Sequence, residues 1–156
     1  MSYRPNGTPC VFCDILDGLS PAVQVQETGT SITIVPLTPV VPGHVLFIPR
    51  RHVEDASTDP WLTGQVMMDA SAYAARAGGE FNLVTSAGRA ATQSVFHLHI
   101  HYVPRSTSDQ LMLPWGTVYG EDPTLPHHCA GMSKLQTRLM DVSLAYGDLR
   151  AKSTKD

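Results

Sequence analysis

Histidines at every second position of residues 97–101 constrain the fold more than any other feature of this sequence. These residues read His-Leu-His-Ile-His, and two more β-formers, Tyr102 and Val103, follow. Side chains two positions apart on a β-strand point to the same face. The pattern predicts a strand over residues 95–103 with the histidines on one face, spaced about 7 Å apart. The opposite face should point to a core: Leu98, Ile100 and Tyr102.

Three imidazoles crowded on one face indicate chemistry, because groups that can each become cationic repel one another without an anion or a metal. A catalytic metal site is one hypothesis, although such a site usually takes a carboxylate or a ligand from another element. The nearest acidic residue downstream is Asp109. The other hypothesis is a phosphate site, in which one neutral imidazole attacks phosphorus while its neighbours donate hydrogen bonds.

The polar segment just upstream favours the phosphate site. Residues 88–94 read Gly-Arg-Ala-Ala-Thr-Gln-Ser and lead directly into the predicted strand. Gln93, Ser94 and the backbone amides could contact phosphate oxygens, whereas the plainer interpretation is an ordinary polar turn.

The rest of the first hundred residues predicts an α+β fold. Strands are expected over 23–26, 32–35, 45–48 and 81–85 from their β-branched and apolar patterns. Asp59-Pro60 is a typical helix start, and apolar residues then recur at helical spacing until Gly78-Gly79. The short connections predict an antiparallel sheet of about five strands with one packed helix.

The amino-acid composition changes at residue 106. Proline, glycine and polar residues dominate as far as residue 132, and a helix is then predicted from Leu135 to Leu149. The sequence therefore predicts a catalytic domain over 1–105 and a C-terminal extension over 106–156, consisting of an irregular loop followed by a helix.

Composition narrows the functional class. The chain has 156 residues, 42% of them hydrophobic, which suits one domain with its own core. A net charge of −3 argues against a nucleic-acid partner. We also expect no membrane span, no signal peptide and a cytoplasmic protein. Three cysteines cannot form a disulfide framework, so Cys10 and Cys13 need another role.

Three segments in a fixed order resemble one known family. Residues 93–105 contain the His-x-His-x-His run flanked by apolar residues, residues 42–52 read PGHVLFIPRRH, and residues 10–15 read CVFCDI. Together they resemble the histidine triad (HIT) superfamily, in its bacterial-type zinc-containing branch. The resemblance covers roughly residues 8–105.

The resemblance implies a mechanism. His99 would attack the α-phosphate of a nucleoside phosphate derivative and form a nucleotidyl-histidine that water hydrolyses. A backbone carbonyl would hold the other ring nitrogen of His99. His101 and His44 would contact the phosphate, while Gln93 and Ser94 would bind phosphate oxygens or the leaving group.

The same resemblance implies a structural zinc ion. Its ligands would be Cys10, Cys13, His52 and His97, since two thiolates and two imidazoles complete a closed tetrahedral shell. The alternative is a pair of reduced cysteines packed in the N-terminal segment. The tract 127–129, His-His-Cys, is interpreted as a loop because adjacent ligands do not easily converge on one ion.

Three positions depart from the family pattern. Pro36 stands where many members have an acidic residue that binds the ribose. Ser86 stands where an asparagine often precedes the phosphate loop, and Thr92 stands where a glycine precedes the conserved glutamine. Nucleoside recognition should therefore be weaker or arranged differently. An apolar base pocket is still a hypothesis, with core packing the plainer interpretation: Phe12, Ile15, Ile34 and Leu37.

The leading hypothesis is a hydrolase or transferase that acts on small nucleotides such as phosphoramidates or dinucleoside polyphosphates. A catalytically weak nucleotide-binding or regulatory module is the alternative, motivated by Pro36. A metal-dependent phosphohydrolase is the third. By resemblance we also expect a homodimer formed through the helix and an edge strand.

Overall fold

The fold is described for residues 7 and 9–112 of a computed structural model. Its elements follow the predicted order, with a short helix added at the N-terminal end. They are α1 Val11–Leu16, β1 Val23–Glu27, β2 Ser31–Val35, β3 Val45–Pro49, α2 Pro60–Ala77, β4 Glu80–Val84, a 3₁₀ turn Arg89–Ala91 and β5 Ile100–Arg105.

All five strands form one antiparallel sheet in the order β1-β2-β3-β5-β4. The predicted α+β fold with a five-stranded antiparallel sheet and a packed helix is confirmed. The strand β5, which contains His101, the last histidine of the run, lies inside the sheet between β3 and β4. Its neighbours on both sides therefore fix the position of His101.

The two faces of the sheet carry different cores because side chains alternate along each strand. On one face, Phe47 and Ile100 pack with Val66 and Ala70 of α2. The odd positions of β3 point to α2, whereas its even positions, Leu46 and Ile48, pack on the other face with α1. Leu46 pairs with His101, so the ring of His101 lies on the α1 face. Leu98, Ile100 and Tyr102 are buried in the α2 core, as predicted.

Local chemistry sets the ends of α2. The carboxylate of Asp59 accepts a hydrogen bond from the amide of Leu62 at 2.9 Å, and Pro60 occupies the first helical position. Gly78 ends the helix with a φ of 69°, a backbone conformation that favours glycine. Both helix ends were predicted from the sequence.

The predicted strand over 95–103 is wrong at its beginning, since β5 starts only at Ile100 and ends at Arg105. The amide of Leu98 donates to the carbonyl of Val53 at 2.7 Å, a residue in the segment after β3. Residues 95–99 thus leave the ladder, and this departure turns His97 towards the N-terminal segment.

The described residues up to Leu111 belong to one compact unit. Arg105 holds the segment after β5 on this unit through the carboxylate of Asp109 at 2.7 Å and the carbonyl of Leu111 at 2.6 Å. None of the described helices is long and apolar enough to cross a membrane. The predicted helix from Leu135 to Leu149 and the tract 127–129 lie outside the described residues. The domain division at residue 105 stays a prediction.

Candidate functional site

His99 stands immediately before β5 and is buried, with 7% of its surface exposed. Its Nδ1 lies 2.7 Å from the carbonyl oxygen of His97, which places the ring hydrogen on Nδ1. The opposite nitrogen, Nε2, then carries the lone pair of a neutral imidazole. A backbone carbonyl at this position is what the family resemblance implies.

Two aromatic rings flank His99. Phe12 of α1 contacts it edge-on with ring centroids 5.2 Å apart, and the ring of His101 lies 5.1 Å away. The sequence pattern placed Phe12 in a core or a base pocket. No sequence signal indicated its contact with the imidazole, because Phe12 and His99 are distant in the sequence and meet only in the folded chain.

His44 and His101 form a hydrogen-bonded pair, with Nε2 of His44 lying 2.9 Å from Nδ1 of His101. The amide of Val40 donates to Nδ1 of His44 at 3.2 Å, so in the neutral ring the hydrogen of His44 is on Nε2. His44 therefore donates to Nδ1 of His101, and the hydrogen of His101 is on its own Nε2. The backbone at Val40 thus sets the proton positions of two imidazoles.

Burial keeps these imidazoles uncharged at neutral pH. It lowers the pKa of His99 and of His44 below the usual value of 6.5. Burial, together with the neighbouring His99 and His44, lowers the pKa of His101 to about 4. A neutral imidazole is the nucleophilic form, so the electrostatics suit attack on an electrophile.

A second cluster lies beside the imidazoles. The ligand atoms of Cys10, Cys13, His52 and His97 all lie within 4.8 Å of one another. Nδ1 of His97 is 3.4 Å from Sγ of Cys10, and Nδ1 of His52 is 3.3 Å from Sγ of Cys13. A tetrahedral zinc ion would separate sulfur and nitrogen ligands by roughly 3.6 Å.

The donor set fits such an ion well. Both thiols are buried, and Nε2 of His97 lies 3.0 Å from the carbonyl oxygen of Pro49, which aims Nδ1 at the cysteines. The cluster could therefore bind a metal ion of the zinc type. Among residues 7 and 9–112, this is the one group arranged to do so, and neither His99 nor His101 belongs to it.

The loop over residues 88–94 is held by Gln93. Its Oε1 accepts from the amide of Gly88 at 2.7 Å, and its Nε2 donates to the carbonyls of Glu54 and Val95 at 2.7 and 3.2 Å. Both side-chain hydrogens are thus already donated. A phosphate contact from Gln93 would have to replace one of these bonds.

The other loop residues are more accessible. Ser94 is exposed and lines an open cavity of about 590 Å³ together with Cys10 and His52. Ser86 is half-buried.

The apolar residues considered for a base pocket do not lie together on one surface. Phe12 and Ile34 are buried in the α1 core, whereas Leu37 is 99% exposed.

The HIT domain family matches residues 18–108, more than half of the chain. The chain belongs to the HIT family. An uncharacterised HIT-like protein of Mycobacterium tuberculosis is 35% identical over 122 residues, covering 74% of this chain and 84% of that protein. The family predicted from the sequence is confirmed.

Two relatives carry names that state an activity. The adenylylsulfatase HINT3 of Arabidopsis thaliana is 34% identical over 65% of this chain and 55% of its own length. The adenosine 5'-monophosphoramidase of Schizosaccharomyces pombe is 28% identical over 64% of this chain and 77% of its own length. Among solved structures, a HIT family hydrolase from Clostridium thermocellum superposes with a TM-score of 0.60 at 28% identity, covering 70% of this chain and all of that one.

Proposed function

We propose that this HIT protein is a hydrolase or nucleotidyl transferase that uses His99 as its nucleophile towards nucleoside phosphate derivatives. The observation that supports this most strongly is the 2.7 Å contact between Nδ1 of His99 and the carbonyl of His97. That contact leaves Nε2 as the nitrogen with a lone pair, in a ring that burial keeps neutral.

The proposed reaction has two displacements. Nε2 of His99 forms a bond to the α-phosphorus while the bond from phosphorus to the leaving nitrogen or oxygen breaks. Nε2–H of His101 donates a hydrogen bond to the departing group, which takes its proton from solvent, and His44 keeps His101 in the tautomer that can donate this bond. Water then attacks phosphorus and loses a proton to solvent, the nitrogen–phosphorus bond breaks to return neutral His99, and a nucleoside monophosphate leaves.

Phosphoramidates and adenylyl sulfate are the first substrates to test. They follow from the names of the Schizosaccharomyces pombe and Arabidopsis relatives. In this chain Pro36 supplies no side-chain hydrogen-bonding group to a ribose. We therefore expect weaker discrimination between ribonucleoside and deoxyribonucleoside substrates than a carboxylate at that position would give.

Hydrolysis of adenosine 5'-phosphoramidate by wild-type protein and by His99→Ala tests the proposal. We expect the substitution to lower kcat at least about a thousandfold, because the covalent route is removed. His99 is outside the cysteine–histidine cluster, so equal metal content would show that the variant is folded. Unchanged turnover by His99→Ala would contradict the proposal.

Loop residues would assist the proposed nucleophile. Ser94, which is exposed, would donate its hydroxyl to a phosphate oxygen or to the leaving group. Gln93 would contribute by holding the loop, and its direct contact with phosphate would need one of its carbonyl partners to be released. Ser86 would contact the substrate from the end of β4.

Zinc in the cysteine–histidine cluster is part of the proposal. Cys10, Cys13, His52 and His97 would hold it in a closed shell, and it would supply structural stability. A metal-dependent phosphohydrolase needs an open coordination position, which four protein ligands do not leave. Turnover that requires added metal after the cluster is full would favour that alternative.

We also propose a cytoplasmic homodimer. β4 is an edge strand of the sheet, Phe81 on it is exposed, and Met68 on α2 is 67% exposed. Cysteines that act as metal ligands, as proposed for Cys10 and Cys13, suit a reducing compartment. Light scattering coupled to size-exclusion chromatography should give twice the chain mass, and the mass of one chain would contradict the dimer.

A further inference from the structure

His99 lies where the pairing of β5 with both of its neighbours stops. The last pairs are Phe47 with Ile100 on one side and Val84 with His101 on the other. The carbonyl of His99 is therefore beyond the ladder and needs a partner of another kind, because a buried carbonyl without a hydrogen bond is costly.

A side chain supplies that partner. The hydroxyl of Thr85, the first residue after β4, donates to the carbonyl oxygen of His99 at 2.9 Å. Thr85 is half-buried, so water competes only partly for this bond. The hydrogen bonding between the β4 segment and the histidine run therefore continues beyond the last strand pair, with a side-chain hydroxyl as the donor in place of a backbone amide.

His99 is consequently held at two points. The Nδ1 contact with the carbonyl of His97 fixes the ring, and the hydroxyl of Thr85 fixes the residue's own carbonyl. Without the second contact, the peptide that links His99 to Ile100 could rotate and carry the ring away from its line of attack. Small displacements of a nucleophile reduce the reaction rate strongly, since the reacting atoms must be aligned.

We propose that Thr85 is a positioning residue for the nucleophilic His99, acting through the main-chain carbonyl and never touching the substrate. This inference rests on the proposed function of His99. It predicts that Thr85 governs kcat, the rate of the chemical step, and leaves KM for the substrate nearly unchanged.

Two substitutions separate the hydroxyl from the bulk of the side chain. Thr85→Val keeps the shape and removes the donor, whereas Thr85→Ser keeps the donor and removes a methyl group. With adenosine 5'-phosphoramidate we expect Thr85→Val to lower kcat about tenfold, the size of one lost hydrogen bond. KM should change less than about twofold, and Thr85→Ser should retain kcat within about threefold.

Thr33→Val is the matched control. Its hydroxyl is buried in the sheet, and among the described residues it has no hydrogen-bond partner. Removing it therefore breaks no bond, so kcat should stay at the wild-type value. Equal kcat in Thr85→Val and Thr33→Val, or equal losses in Thr85→Val and Thr85→Ser, would overturn the positioning role.

A measurement without substrate keeps the inference separate from the proposed function. The Cε1–H cross-peak of the His99 ring, assigned by its loss in His99→Ala, should shift or broaden in Thr85→Val and stay in place in Thr85→Ser. If wild-type protein turns over no substrate, the proposed function fails, and this cross-peak decides the positioning role alone. An unchanged cross-peak in Thr85→Val would then overturn it.

Discussion

The carbonyl oxygen of His97 lies 2.7 Å from Nδ1 of His99, so a residue whose ring belongs to the cysteine–histidine cluster also orients the imidazole that we propose as the nucleophile. Phe12, between the two cysteines, contacts both rings edge-on at centroid distances of 5.9 and 5.2 Å. His97 and Phe12 therefore connect the cysteine–histidine cluster to the ring of His99.

Loss of a cluster ligand should reduce both stability and activity. We expect wild-type protein to carry one zinc ion per chain and Cys13→Ser to lose it, with a lower Tm and a lower kcat although His99 is intact. Metal analysis, thermal unfolding and hydrolysis of adenosine 5'-phosphoramidate measure the three effects.

Cys129→Ser is the matched control, because that cysteine is outside the predicted ligand set. It should retain the metal, the Tm and kcat. A wild-type chain without metal, or a Cys13→Ser variant with normal zinc, would contradict the assignment of these ligands.

The hydrogen bond between His44 and His101 predicts how kcat depends on pH below neutrality. The pKa of His101 is about 4, so its ring stays neutral as the pH falls from 7.5 to about 5, and its Nδ1 remains able to accept the hydrogen bond from His44. Below that range a proton on Nδ1 of His101 would face the hydrogen of His44 and break the bond. We expect the contribution of His101 to kcat to be constant down to about pH 5 and then to fall.

His44→Asn should raise the pKa of His101, since both the neighbouring imidazole and the burial that it provides are lost. An NMR titration of His101 in the two proteins measures the midpoints directly. A midpoint that stays in place or moves to lower pH in His44→Asn would show that the pair is not coupled in this way.

The same shift affects stability. The pKa of His101 is lower in the folded chain than the unfolded value of 6.5, so the unfolded chain binds more protons as the pH falls. The free energy of unfolding should therefore decrease as the pH is lowered from about 6.5 to about 4. His101→Asn should show a shallower decline in urea titrations at a series of pH values, and an equally steep decline would contradict the sign.

Thr92 should be a source of backbone strain. It follows the 3₁₀ turn with a φ of 69°, which a β-branched residue rarely adopts. Thr92→Gly should raise the free energy of unfolding by about 1 kcal/mol. Urea denaturation measures the change, and Ala90→Gly, at a position without a positive φ, should lower stability instead. Destabilisation by Thr92→Gly would contradict the strain.

The sheet could be predicted because period-two patterns and turn residues act locally. Strands β1 to β4 and helix α2 all lie within one or two residues of their predicted positions. The start of β5 could not be predicted, because the amide of Leu98 pairs with Val53. Helix α1 was not predicted, since it has only six residues and the side chain of its N-cap residue, Cys10, makes no capping hydrogen bond.

The sequence and the resemblance named the candidate residues and the backbone carbonyl that holds Nδ1 of His99, but not the other hydrogen bonds among them. The sequence and the resemblance indicated His99, His101 and His44, whereas the Val40 amide that sets the tautomer of His44 follows from the path of a loop. Gln93 was expected at the phosphate, yet its side chain bonds to backbone groups. Such contacts depend on long-range packing, which no local pattern records.

The most direct test of the central claim is the position of the covalent adduct. Wild-type protein is mixed with adenosine 5'-phosphoramidate, quenched in alkali to protect a nitrogen–phosphorus bond, and mapped by peptide mass spectrometry. We predict one adenylyl group on the peptide of residues 90–105, assigned by fragmentation to His99 and absent in His99→Ala. An adduct on another residue, or turnover with no adduct at any quench time and full activity in His99→Ala, would contradict it.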